Sequence, residues 1–396
     1  MKNVIFFVHG IGRHKQGWVD GTPEEPGPVA ALDAAMKQYA CFGGKGLRDF
    51  VDVVEVRYDD LFDTVLDQWE ALAESLGPVA GNIPWVEKVQ ALLDDVGGNK
   101  DLFADFGGDI LLYRGFDLVA RAVRLRVAAT IAGEVFERNV AAAGEGLEGT
   151  LPKIAIVGHS MGTAVVYDAL WTIVSAGFLE DKATVTKQLP GAQWLVDLGL
   201  LAAAQAKRFA IMEKTAATMP GTLPFFVDRL MLVSDTIPLV SQASGDYLAA
   251  KFQTDFQCRS FTEVKHRLDP VCQTKPFALP AHPDAEEIVV KHVHQPNIHG
   301  LAHYLSNPAV HSSLFRAVIP EFKLKDLAVA QKLAATAEWT GVGGAVAKMV
   351  DAKKAELVTK LEALRDELLD MQTTRDVLLL VKLLKRLRTI STGDEP

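Results

Sequence analysis

Short apolar runs that stop at a glycine or a polar turn recur along the chain. Val4–Val8 (VIFFV) has no polar position and ends at His9-Gly10. A run of this length, β-branched and aromatic and without alternation, predicts a strand buried on both faces, as in a parallel sheet. Ile154–Val157 (IAIV) and Arg229–Val233 (RLMLV) read the same way. Val51–Tyr58 (VDVVEVRY) alternates and predicts a further strand, Ser260–Val264 a weaker one, and Glu287–Val293 (EIVVKHV) the last. Between them, Val29–Tyr39, Asp59–Leu76 and Thr163–Ser175 carry apolar residues at helical spacing. Asp109–Val140 predicts one long amphipathic helix, with Leu111, Phe116, Val119, Val123, Val127 and Ile131 on one face. Gly21, Pro23, Pro26, Gly27 and Pro28 make Trp18–Pro28 a loop, and Gly77–Pro84 breaks the helix before it. Asp181–Phe225 is helical or irregular.

Strands alternating with helices place the chain in the α/β class with a mainly parallel central sheet. The pattern changes near Phe322. Residues 323–390 hold no strand candidate and keep helical spacing, with one glycine-rich break at Gly341–Gly344. The expected organisation is therefore an α/β domain over 1–321 with helical inserts at about 59–140 and 184–225, a helical C-terminal extension over 322–390, and a disordered tail over 391–396.

Composition narrows the function. With 396 residues, 49% of them hydrophobic and 23% charged, the chain is long enough for a large core and is not a disordered polymer. A net charge of −9 has the wrong sign for a nucleic-acid binder. Three cysteines at unrelated spacings (Cys41, Cys258, Cys272) fit a reducing compartment and not a cysteine-built zinc site. Charge interrupts every apolar stretch before the length of a membrane span, and Met1–Val8 is too short for a signal peptide, so a cytoplasmic location is expected.

The strongest chemical signal is Gly158-His159-Ser160-Met161-Gly162, between an apolar strand and an amphipathic helix. A serine on so tight a strand-to-helix turn needs neighbours without bulk two residues away, which Gly158 and Gly162 supply. It would stand at a helix N-terminus, where amide N–H groups can stabilise a developing oxyanion. His9-Gly10-Ile11-Gly12, directly after the first strand, can bring further amides close. Met161 is one candidate oxyanion donor, and Gly10 or Ile11 the other. His159, at the variable position of the turn, is expected to be structural. Arg13 and His14, after the glycine loop, are expected to be solvated.

VIFFVHGIG, IAIVGHSMGTAVVYDAL, RLDPV and IHGLAHYLSNPAV, in this order, resemble the α/β-hydrolase superfamily, and most closely its intracellular lipase- and esterase-like serine hydrolases. The resemblance covers residues 1–320. It implies an α/β-hydrolase fold and a serine–acid–histidine triad in that chain order, with no cofactor.

For the acid, Asp269 follows the Ser260–Val264 strand and precedes Pro270, which keeps it out of the helical region. Asp235, after RLMLV, is the alternative. For the base, His299 follows the last strand and stands five residues before Tyr304-Leu305, a spacing like the family's; His303 is the alternative. His292 and His294 would share one strand face. A zinc site built from His294, His299 and His303 would have no carboxylate or thiolate beside it, so no metal is expected.

The leading expectation is thus a serine hydrolase cleaving a small-molecule or lipid carboxylic ester through Ser160, Asp269 and His299. Two readings stand beside it. Asp376–Ile390 (DVLLLVKLLKRLRTI) puts Leu379, Leu380, Leu383, Leu384 and Leu387 on a stripe flanked by Lys382, Lys385, Arg386 and Arg388. Such a basic amphipathic helix can meet an anionic membrane surface, as a lipase or phospholipase would, or pack on its own domain. The other is a non-catalytic protein that keeps the fold and binds a partner.

Overall fold

The structure is a computed structural model. It describes residues 2–12, 14–22, 26–63, 109–110, 112–114, 117–144, 152–174, 180–181, 183–184, 227–241, 260–266, 269, 272, 285–291 and 298–336. Six strands form one sheet: β1 (Asn3–Val8), β2 (Val51–Val56), β3 (Ile154–His159), β4 (Arg229–Val233), β5 (Phe261–His266) and β6 (Ala285–Val290). Every pairing is parallel, in the order β2-β1-β3-β4-β5-β6. The chain steps from β1 to one side, returns to place β3 on the other side, and then advances steadily to β6. The order reverses between β1 and β3. In such sheets the carboxyl ends of the strands flanking the reversal open the crevice where ligands bind.

Helices cover both faces. Here α1 (Pro28–Met36), α4 (Leu301–Leu305), α5 (Pro308–Val318) and α6 (Leu324–Thr336) lie on one face, and α2 (Asp117–Gly144) and α3 (Met161–Val174) on the other. This explains the lack of alternation in the central strands. Ile5, Phe7, Ala155, Val157, Met231 and Val233 join the core beneath α1, α4 and α5. Their neighbours Val4, Phe6, Ile156, Leu230 and Leu232 are equally buried on the opposite side. The edge strands β2 and β6 are only part-covered. α6 packs on α5, and its Leu327, Ala330 and Leu333 share that core, so the start of the expected C-terminal extension is built into the α/β body. The remainder, including 376–390 and the 391–396 tail, lies outside the described residues, as does nearly all of the 184–225 insert and residues 64–108.

Three elements differ from the sequence pattern. β5, expected to be weak and to span Ser260–Val264, is buried at every position over Phe261–His266. Its polar residues face partners: Arg229 on β4 donates to Thr262, and Lys265 lies 3.0 Å from Glu263 on the same strand and 3.4 Å from Glu287 on β6. β6 begins two residues earlier than expected and ends at Val290; His292, Val293 and His294 lie outside the described residues. The amphipathic helix expected over Asp109–Val140 corresponds to α2, Asp117–Gly144, and residues 109–110 and 112–114 before it are helical too. Val119, Val123, Val127 and Ile131 are buried as expected, but so are Ala120, Ala122, Leu125, Ala128 and Ala129. Burial runs nearly all round because the charged positions are neutralised in pairs: Arg124 bonds Asp181 twice at 3.0 Å, and Arg126 reaches Asp60 at 3.2 Å. Leu111 and Phe116 fall outside the described residues. Among the described residues no helix is long and apolar enough to cross a membrane.

Candidate active site

β3 ends at His159 and α3 begins at Met161, so Ser160 alone makes the turn. Its φ is +53°, a left-handed conformation that costs an L-residue roughly 1–2 kcal/mol. The surroundings over-determine it. The Ser160 amide donates to Val233 O at 2.9 Å. Its carbonyl accepts from the Thr163 amide (2.9 Å), Thr163 Oγ1 (2.6 Å) and Thr236 Oγ1 (2.9 Å). The backbone is held from both sides while Ser160 Oγ, buried, bonds nothing among the described residues.

The glycines around it are there for space. A Cβ on Gly162 would come 2.2 Å from His9 O and 2.7 Å from Val8 O, because α3 starts hard against the end of β1. On Gly158 it would meet Gly162 O at 3.0 Å. On Gly10 it would meet Ser160 Cβ at 2.8 Å: the loop after β1 passes directly over the serine.

That loop is fixed through its carbonyls. Tyr58 OH donates to His9 O (2.9 Å) and Gly10 O (3.2 Å), His9 Nδ1 donates to Gly10 O (2.7 Å), and His14 Nε2 donates to Ile11 O (3.2 Å). The amides of Gly10, Ile11 and Met161 donate to no described group. His9 is fully buried and stacks on Tyr58 at 4.3 Å. His14 is not solvated as expected. Its ring lies 4.3 Å from His9 and 5.3 Å from Trp18, and its amide donates to Asp59 at 2.6 Å. Burial, reinforced by neighbouring His9, pushes its pKa down to about 3. An uncharged His14 serves as a brace for the loop. Arg13 lies outside the described residues.

Asp269 and His299 meet at the carboxyl ends of β5 and β6. Asp269 is fully buried, and His299 Nδ1 donates to its Oδ2 at 2.9 Å. The proton on Nδ1 leaves Nε2 as the acceptor, the state a general base needs. Tyr304 OH (2.6 Å) and Ser234 Oγ (2.7 Å) donate to the same oxygen, and the Cys272 amide reaches Oδ1 at 3.4 Å. Burial alone would raise the Asp269 pKa, but His299 and these donors outweigh it and hold the carboxyl below the usual carboxylate range.

His159, expected to be structural, donates from Nε2 to the backbone carbonyl of His299 at 2.6 Å and so ties the elbow to the histidine loop. Its own pKa falls to about 3, from burial and then from the adjacent His299. The two alternatives have other described contacts. His303 is buried on α4 with its ring 5.2 Å from His266. Asp235 accepts from the Ile237 amide at 2.9 Å as an Asx turn, and burial pushes its pKa up to about 6. The carboxylate on His299 is Asp269.

Sequence reasoning missed Ser234 and the role of Tyr304. Ser234 directly follows β4, the only signal it carried, and its φ is +54°. Tyr304 belonged to the spacing noted after His299, and the fold shows why: one turn of α4 brings its hydroxyl onto the acid. Comparison with family models, curated proteins and solved structures returns no match for this chain.

Proposed function

We propose that the protein is a serine hydrolase of the α/β-hydrolase fold that cleaves carboxylic esters. One observation carries the reading. Ser160 stands in a left-handed turn between strand and helix at the point where the strand order reverses, and an aspartate–histidine pair closes the same edge of the sheet. The order serine, acid, histidine along the chain is the one the sequence resemblance implies.

Ser160 Oγ attacks the ester carbonyl while His299 Nε2 takes its proton. Asp269 orients the imidazole and stabilises the imidazolium that forms. The carbonyl oxygen, now negative, is met by the Met161 amide at the start of α3 and by an amide of Gly10 or Ile11. The Gly10 and Ile11 carbonyls are engaged by His9, Tyr58 and His14, which supports a loop already held in place to receive it. His299 then protonates the leaving alcohol, and water, activated by the same imidazole, releases the acid.

Hydrolysis of p-nitrophenyl esters from acetyl to palmitoyl tests the assignment. The expected result is turnover above the buffer rate with a pre-steady-state burst near one equivalent of enzyme, the mark of an acyl-enzyme. Absence of turnover across the whole series would contradict ester hydrolysis as the activity.

A further inference from the structure

Among the described residues two serines have a left-handed backbone, and they stand side by side. His159 and Val233 are register partners across β3 and β4, so Ser160 and Ser234 occupy equivalent positions just beyond the ends of adjacent strands. Each amide continues the ladder to the next strand, Ser160 to Val233 O and Ser234 to Val264 O, both at 2.9 Å. At Ser160 the strain accompanies a side chain with no described partner. At Ser234 the side chain is fully engaged: buried, its Oγ donates to Asp269 Oδ2 at 2.7 Å and lies 3.2 Å from His299 Nδ1. With its single proton directed at the carboxylate, the hydroxyl turns a lone pair toward the Nδ1–H. It thus bridges the two residues from a third side.

The backbone does not require serine here. Glycine adopts the same φ without strain. Serine is favoured over it only through its hydroxyl. Two residues on, the Thr236 amide donates to Thr163 Oγ1 (2.9 Å) and Thr236 Oγ1 donates to Ser160 O (2.9 Å). The three residues 234–236 therefore hold the acid–histidine pair with one side chain and the serine turn with another.

Building on the proposed hydrolase reading, we propose that Ser234 is a positioning residue. Its hydroxyl fixes Asp269 and the His299 ring in the arrangement that leaves Nε2 as base, and its loop keeps that pair in register with Ser160. Ser234 does not attack substrate.

Ser234→Gly separates the hydroxyl from the backbone, since it keeps the left-handed turn and removes only the side chain. Ser234→Ala, which keeps the strain and loses the hydroxyl, is the companion. Both variants are expected to lose kcat by ~10-fold or more, the scale on which a misaligned catalytic group is felt, with KM little changed. The Gly variant should stay folded, because the backbone strain it relieves offsets part of the hydrogen bond it loses. A readout without substrate accompanies this: the downfield proton resonance of the His299–Asp269 hydrogen bond should move in both variants. Wild-type kcat in Ser234→Gly, with that resonance unmoved, would overturn the proposal. If the wild-type protein itself turns over no ester, the hydrolase reading fails separately, and the resonance still decides whether Ser234 positions the pair.

Discussion

Replacing Ser160 with alanine is expected to remove ester turnover while leaving the fold intact or slightly firmer. Loss of a triad serine is felt on the order of 10⁵- to 10⁶-fold in kcat, because nucleophilic attack and the proton transfer to the histidine both start from that one oxygen. The stability side follows from the structure. Alanine meets the same penalty at φ +53° as serine does, so the turn is no more strained than before. The hydrogen bonds that hold the turn all run through backbone atoms of residue 160 and survive the change. The atom removed is a buried hydroxyl with no described partner, and deleting such a group costs nothing in lost bonds. Thermal unfolding and ester assays on the same preparation check this: activity near the buffer rate, with Tm unchanged or raised by about 1 °C. A variant that keeps most of its turnover would remove Ser160 from the chemistry.

Asp269→Asn carries the second largest effect, a fall in kcat of about 10⁴-fold with the fold retained. Asparagine fills the same volume, and its carbonyl can still receive Tyr304, Ser234 and His299. It places an NH2 group against the Cys272 amide, donor facing donor, and it removes the charge that stabilises an imidazolium in a dry site. If the side chain flips to relieve Cys272, its NH2 faces three donors and His299 turns to the wrong tautomer. The same substitution has a signature in pH. The Asp269 pKa lies below its ordinary value near 3.9, so its ionised form adds stability above that pH, and the contribution is lost as pH falls toward the folded value. The gap in stability between wild type and Asp269→Asn should therefore be widest at neutral pH and narrow below about pH 4. A gap that widens on acidification would show that Asp269 is not the stabilised carboxylate described here.

The parts of this molecule written in local pattern were legible before folding was considered. β1, β3 and β4 could be placed because strands covered on both faces have nothing but apolar positions, and α3 because its period changes right after Ser160. Glycines 10, 158 and 162 were readable because they answer a local need for space. β5 was underrated since Thr262, Glu263 and Lys265 look like surface residues. They are buried against partners on β4 and on their own strand, and burial together with nearby Asp235 lifts the Glu263 pKa to about 7. α2 misled for a similar reason: the partners that let Arg124 and Arg126 go inside are 57 and 66 residues away. The pattern around His14 predicts a solvated side chain because Asp59, which brings it under the loop, lies 45 residues on. Ser234 and Tyr304 each lie 35 residues from Asp269, a distance at which sequence spacing says nothing about a hydrogen bond. The left-handed φ of Ser160 was announced by its flanking glycines, whereas that of Ser234 comes from its neighbours in space and leaves no such trace.

Covalent labelling tests whether Ser160 is an activated nucleophile without assuming any substrate. The native protein is treated with a fluorophosphonate at neutral pH, digested, and the modified peptide located by mass spectrometry. The expected result is one equivalent of label, confined to Ser160, with labelling slowed when Asp269 is changed to Asn. Label on another residue, or an unmodified Ser160 in folded protein, would contradict it.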